Sequence, residues 1–225
     1  MGLLTLEHYW SNLLNSRTYR ALKNSIFLAV VGATVCMLLA SITSYITAKT
    51  KTAGRGIIEG LTFIPWAFPG TALALGLLWA YVYIPLPIYG TIWILMIGYI
   101  TRFLPYGLRS MGSTIVQIHD ELEDASKACG AGFLSTFWRI LLPLMRPGFI
   151  AGWIILATIY VREFSTSIFL YSPGAEPIGP LLYHFYVDGN YGPMCALGIV
   201  VSVVSVVLIV AARRIGKVGG QFEGG

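Results

Sequence analysis

Charge is what this sequence has least of. Asp, Glu, Lys and Arg make up 11% of its 225 residues and hydrophobic residues 56%, where a soluble domain carries roughly 25% charged and 45–50% apolar residues. A soluble core cannot use that much apolar surface. The charges are also bunched, so that residues 24–48, 60–101, 147–161, 164–175 and 189–212 each run without one, the mark of membrane spans. The net charge of +5 does not indicate nucleic acid, because Lys and Arg flank the apolar runs instead of forming a solvated stripe; they read as orientation signals. Cysteine is scarce too. Cys36, Cys129 and Cys195 lie far apart, with no C-x-x-C and no nearby histidine, which excludes metal-ligand spacing and leaves them as apolar fillers. His8, His119 and His184 are isolated, so neither a zinc site nor a ferric ligand cluster can be built from them. No H-E-x-x-H, G-x-S-x-G or G-x-x-x-x-G-K-[ST] occurs. The first 23 residues lack the charged start and short apolar segment of a signal peptide.

What is present is a series of apolar segments. The first predicted span is 24–48, closed by Lys49, Lys51 and Arg55; the second is 57–83, with Pro65, Pro69 and Gly70 inside it. The uncharged stretch 60–101 is long enough for two crossings, and Pro85-Leu-Pro87 supplies the break for a hairpin. The third span is then about 88–108, and apolar runs resume at 148–171 and 194–212. Residues 172–193 hold four prolines, four glycines and no Lys or Arg, which predicts a structured loop with turns. Lys and Arg number ten on one side of these spans and three (Arg17, Arg20, Lys23) on the other. The excess marks the cytoplasmic side, placing the 109–147 loop and the C-terminus inside and the N-terminus outside. An outside start without a signal sequence suggests an upstream span or fused half beyond this chain. Leu6, Tyr9 or Trp10, Leu13 and Leu14 recur at helical spacing, so residues 1–23 read either as an interfacial helix or as a partly ordered tail. Residues 213–225 form a cytoplasmic tail ending in a flexible GGQFEGG.

The loop 109–147 is too hydrophilic to cross. Ile115, Ile118, Leu122 and Ala125 share a helical face, with Asp120, Glu121, Glu123 and Asp124 mostly on others. Gly130-Ala131-Gly132 provides a turn, Ser135 is a candidate N-cap for a second short helix, and Pro143 is expected to end it. Periodicity alone leaves two readings open: a helix pair docking into a groove on a partner protein, or one resting on lipid.

The run Asp124-Ala125-Ser126, then Gly130, then nine residues, then Ile140-Leu141-Leu142-Pro143 resembles the EAA signature of binding-protein-dependent ABC importer permeases, the MetI-like inner-membrane components. Asp124 stands where that family usually has Glu, and Ser126 where it has the second Ala. The resemblance implies an all-α membrane protein with a five-transmembrane-helix permease core and a cytoplasmic coupling-helix loop. It implies that Asp124, Ala125, Ser126, Gly130, Ile140, Leu142 and Pro143 serve docking to an ABC ATPase subunit. Further partners it implies are a second permease half (identical, paralogous or fused), a periplasmic substrate-binding protein and the lipid bilayer. This chain would bind no cofactor, ATP being used by the partner. Arg162 through Ser167, Leu170 through Gly174, and Pro65 through Gly76 (PWAFPGTALALG) look more narrowly like the ferric iron permeases and their relatives for thiamine, phosphonate and polyamines.

Arg162 and Glu163 fall inside the fourth apolar segment, where a lone central charge costs about 2.5–3.5 kcal/mol. Arg102 in the third span is a candidate mate for Glu163. One reading places Glu163, Ser165, Ser167, Arg162 and Arg102 along a translocation path for a cationic or hydrated solute; the other makes the charges an interhelical clamp. Pro65 and Pro69 free backbone carbonyls that either line a polar path or kink a helix for packing. The expected activity is transport by alternating access, with ferric iron the first candidate solute. A passive channel leaves the 109–147 loop unexplained, and an intramembrane hydrolase has no supporting spacing.

Overall fold

The computed structural model describes residues 15–50, 53–83 and 88–218. Residues 1–14 of the lead segment, the Pro85-Leu-Pro87 turn and the tail from 219 lie outside the described residues. Among the described residues every regular element is helical.

The first helix, α1, runs from Ser16 to Lys49, so residues 16–23 are its opening turns and not a separate surface segment. Asn15 caps it, its side chain accepting the Arg17 N–H at 3.0 Å. Hydroxyls within the apolar helices are satisfied internally, as where Thr34 donates to the Val30 carbonyl and Ser41 to that of Met37. This is how a serine or threonine is carried through hydrocarbon, where no water can partner it.

The segment 57–83 is not one straight span. Helix α2 (Arg55–Ala67), whose last turn tightens to 3₁₀ geometry, and helix α3 (Gly70–Tyr83) meet at 112°. The cause is local. Phe68 precedes a proline and is pushed to extended backbone (φ −102°, ψ 139°), and Pro69 then opens α3 by accepting the Leu73 N–H.

Helix α4 (Ile92–Val116) has 25 residues, roughly 37 Å at 1.5 Å per residue. Arg102 and Arg109 make it less apolar than α1 or the two long helices below, yet it is the centre of the molecule. Ile94, Leu95, Tyr99, Phe103 and Met111 are buried against α1 and the helix that follows the loop, so protein more than lipid surrounds it. Met37 of α1 fits against Gly107 of α4, and small residues of this kind let membrane helices approach closely.

After a short helix α5 (Asp120–Ala128) comes α6, Leu134–Val161. Pro143 does not end the second loop helix; that helix is the beginning of α6. Residues Phe137–Leu141 widen to a π turn in which the Leu142 N–H reaches the Phe137 carbonyl, five residues back. The shifted register lets a proline enter without breaking the helix. Ser135 accordingly lies in the first turn and not at a cap.

The fourth apolar segment stops being helical at Val161, ten residues before the expected end. A short helix α7 (Ser167–Leu170) follows, then α8 (Ile178–Val187) where a loop was expected, then α9 (Tyr191–Val218). Arg17 in α1 grips Glu176 with two hydrogen bonds of 2.8 and 2.9 Å, and Ser25 accepts the Ile178 N–H, fixing the 171–178 connection to the head of α1. By length and apolar character α1, α6 and α9 each suffice to cross a membrane, and α2 with α3 only as a bent pair.

Candidate functional site

Two regions carry the polar chemistry. The first is the loop between α4 and α6. Helix α4 ends at Val116, and His119 is extended (φ −65°, ψ 140°) before α5 starts, so the four apolar residues assigned to one face divide among α4 (Ile115), the break (Ile118) and α5 (Leu122, Ala125). Ile115 and Ile118 are buried beneath the bundle, whereas Leu122 and Ala125 are exposed on α5. Asp120, Glu121 and Glu123 occupy the first turn of α5 and Lys127 its last, which suits the helix dipole at both ends.

Gly130 closes α5 with φ +79°. The Gly130 N–H donates to Lys127 and the Ala131 N–H to Ser126, a Schellman arrangement whose positive φ favours glycine. Space around Gly130 is open. Asp124, exposed, pairs with Lys127 at 3.1 Å, which raises the lysine's pKa through that hydrogen bond. Ser126 makes a 2.8 Å hydrogen bond with the hydroxyl of buried Thr136. The serine that departs from the EAA pattern thus fastens α5 to the head of α6. Ile140 and Leu142 are half-buried and Pro143 exposed on α6, and Leu134 and Trp138 stand out from the same helix.

Sequence reasoning took Lys49 for an orientation charge. Its side chain is 7% exposed, and the ammonium donates to the Ile118 carbonyl at 2.5 Å, pairs with exposed Asp120 and lies 3.6 Å from Glu123. The contact with Lys49 holds the Asp120 carboxyl below the usual carboxylate range. Tyr45, one turn earlier, reaches Glu123 at 3.5 Å. A basic residue in the last turn of one helix and acids in the first turn of another were the available signal, but 71 residues separate Lys49 from Asp120.

The second region lies where the α2–α3 bend and the break after α6 meet α4. Arg102 donates to Glu163 at 2.5 Å and to Thr166 at 2.9 Å, so the mate proposed for Glu163 is the one the fold supplies. The Glu163 carboxylate, 3% exposed, also accepts the Thr166 N–H on both oxygens and the Ser167 N–H. Ser167 is buried, and its hydroxyl donates to the Glu163 carbonyl at 2.8 Å. Arg162 and Glu163 are not neighbours on a helix. Arg162 is the terminal cap of α6 and points outward, exposed, while Ser165 is half-buried. Pro65 sits in the 3₁₀ turn and Pro69 at the bend, exposed. Gly70, the first residue of α3, is packed so closely on the Arg102 guanidinium that a Cβ there would collide with it. Thr166 and Gly70 had no sequence signal, because each matters only once the two breaks are brought together.

A helical bundle with a bent helix pair, a broken helix at the level of a buried ion pair, and a projecting helix–turn–helix defines a membrane transport component. The chain belongs to the family of binding-protein-dependent transport system inner membrane components, whose model matches residues 37–217. It is 28% identical over 212 residues to the ferric transport system permease protein FbpB of Actinobacillus pleuropneumoniae, covering 92% of this chain and 30% of that protein. It is 25% identical to the spermidine/putrescine transport system permease protein PotC of Shigella flexneri, covering 96% of this chain and 82% of the relative. Among solved structures the fold is shared with a bacterial ABC transporter involved in the import of the acidic polysaccharide alginate (TM-score 0.78, 18% identity, 96% of this chain and 85% of that one). It is also shared with the MetNI methionine ABC transporter in inward-facing form (TM-score 0.70, 16% identity, 92% and 99%).

Proposed function

We propose that this chain is the permease subunit of an ATP-driven importer, that α5 and the head of α6 dock on a separate ATPase, and that the solute is ferric iron. The carrying observation is the construction of the loop. Its two helices are joined by a glycine at positive φ and stapled by Ser126 and Thr136, and they hold Leu122, Asp124, Ala125, Leu134 and Trp138 free of the bundle. A fixed helix pair with an unburied apolar stripe and flanking charge suits a groove on a protein partner. ATP is bound and hydrolysed by that partner, and this chain holds no cofactor. In this reading the loop and the C-terminus are cytoplasmic and the N-terminus is outside, by the ten-to-three excess of Lys and Arg. A periplasmic binding protein delivers the solute, and a second permease half completes the path beside the bent pair and the break at 162–166.

Glu163 has its oxygens filled by four internal N–H contacts, so we assign the Arg102–Glu163 pair to the wall of the path, with exposed Phe68 and Pro69 facing the solute. Ferric iron is favoured by the 28% identity to the iron permease. A polyamine is the second reading, favoured by a relative matched over most of its length; both are cations. Pull-down of the tagged chain from detergent with the ATPase encoded beside it should recover the ATPase, and the double variant Asp124→Lys, Gly130→Pro should lose it. Recovery with both forms, or with neither, overturns the docking assignment. Uptake of labelled ferric iron against labelled spermidine decides the solute.

A further inference from the structure

Two of the three long elements around the loop are joined to it by the chain itself: α6 begins inside it, and α4 enters it through residues 117–119. Helix α1 has no such connection, since α2, α3 and α4 intervene in sequence. What joins α1 to α5 is side-chain contact, centred on Lys49. Lys49, in the last turn of α1, lies where the carbonyl end of that helix faces the N–H end of α5. It donates to the Ile118 carbonyl in the break, pairs with Asp120 at the first position of α5, and faces Glu123 one turn on. Tyr45 adds a second contact to Glu123 from one turn back along α1. A lysine at a helix C-terminus and acids at a helix N-terminus are each favoured by the local dipole, and a charge-assisted hydrogen bond such as that from Lys49 to the Ile118 carbonyl is stronger than a neutral one.

We propose that Lys49 is a positioning residue that ties α1 to the coupling loop, so that displacement of α5 by the ATPase moves α1 together with α4 and α6. The assignment rests on the coupling role proposed above and adds a third membrane helix to it. Lys49 lies on the bundle side of α5, away from exposed Asp124 and Ala125, so its loss leaves the docking surface in place and removes the ionic contact between α1 and α5. Lys49 and Tyr45 together bring α1 against Asp120 and Glu123 of α5.

The test uses the full chain in complex with its ATPase in lipid nanodiscs. Spin labels are placed at Leu39→Cys on α1 and Glu121→Cys on α5, both exposed positions, in a background with exposed Cys129 and Cys195 replaced. With Lys49 present, the distance distribution between the labels stays narrow and keeps its maximum in nucleotide-free and vanadate-trapped states. Lys49→Met broadens it and makes its maximum shift between the two states, with the ATPase still bound. Lys49→Arg, which keeps the charge, restores the narrow distribution. An unchanged distribution in Lys49→Met, or one that already shifts between states in the parent, overturns the tether alone. Failure of the parent chain to hold the ATPase overturns the coupling role and the tether with it.

Discussion

Residues 162–166 and residues 117–132 both interrupt long helices, and their polar groups are left in opposite conditions. At the first break the carboxylate, the guanidinium, two backbone N–H groups and two hydroxyls are turned on one another, with Glu163 buried and Arg102 half-buried. At the second, Lys49, Ser126 and Thr136 are bound inward while Asp124, Ala125 and the turn at Gly130 are left open. Burial explains the first condition, because a polar group shut away from water must find its partners within the protein. The second is the condition of a surface that keeps its shape by inward bonds and keeps its outer face for something else. Fixed by its inward contacts, such a loop needs little ordering when a partner binds.

Removing one member of the buried pair should therefore produce the largest effect. Glu163→Ala leaves the Arg102 guanidinium and two N–H groups without their acceptor, and should lower stability by about 3–5 kcal/mol. Thermal unfolding in detergent, followed by size-exclusion fluorescence, would read this as loss of the monodisperse peak at moderate temperature. Arg102→Met with Glu163→Met should recover much of the loss; if it does not, the pair is more than a clamp. Ser126→Ala should have a smaller effect, about 0.5–1.5 kcal/mol, confined to the joint between α5 and α6. Hydrogen exchange should show faster exchange at the amides of α5 with no change at α4. An equal response in both helices would remove the distinction between loop and core.

The smallest effect is that of pH. Asp120 has its pKa lowered by Lys49, so the stabilisation it gives is present above the ordinary carboxylate range and is lost as pH falls through its lowered value. Lys127 has its pKa raised by Asp124, so its contribution is present below the ordinary lysine value and is lost as pH rises through the raised one. Between about pH 5 and pH 9 neither group changes charge, and a spin label on α5 should keep constant mobility. A step within that window would show another titrating group in control of the loop.

Much of the candidate site was legible in one dimension. The order Asp124, Gly130 and Pro143 identified the loop, and Gly130 takes the positive φ expected of the turn. Glu163 and Arg102 were paired from the cost of a lone charge among apolar residues, and they meet. Two of the misplaced helix ends share a cause. Helix ends were placed where apolar runs ended, yet α4 and α6 continue past Arg109, Arg139 and Arg146, because charge limits burial in lipid and does not limit helical hydrogen bonding. Pro143 was expected as a stop, but the π turn Phe137–Leu141 just before it absorbs it.

The sequence by itself determined the class of molecule and the place of the loop, because both depend on quantities that add along the chain: the length of uncharged runs, the distribution of Lys and Arg, and the spacing of a short motif. Only the tertiary structure decided that Ser126 bonds Thr136, that Gly70 makes room for Arg102, and that Lys49 holds α5 to α1. Those contacts join residues on separate elements, and a directional bond between distant residues leaves no period in the sequence. They form only when packing sets the two ends within about 3 Å of each other.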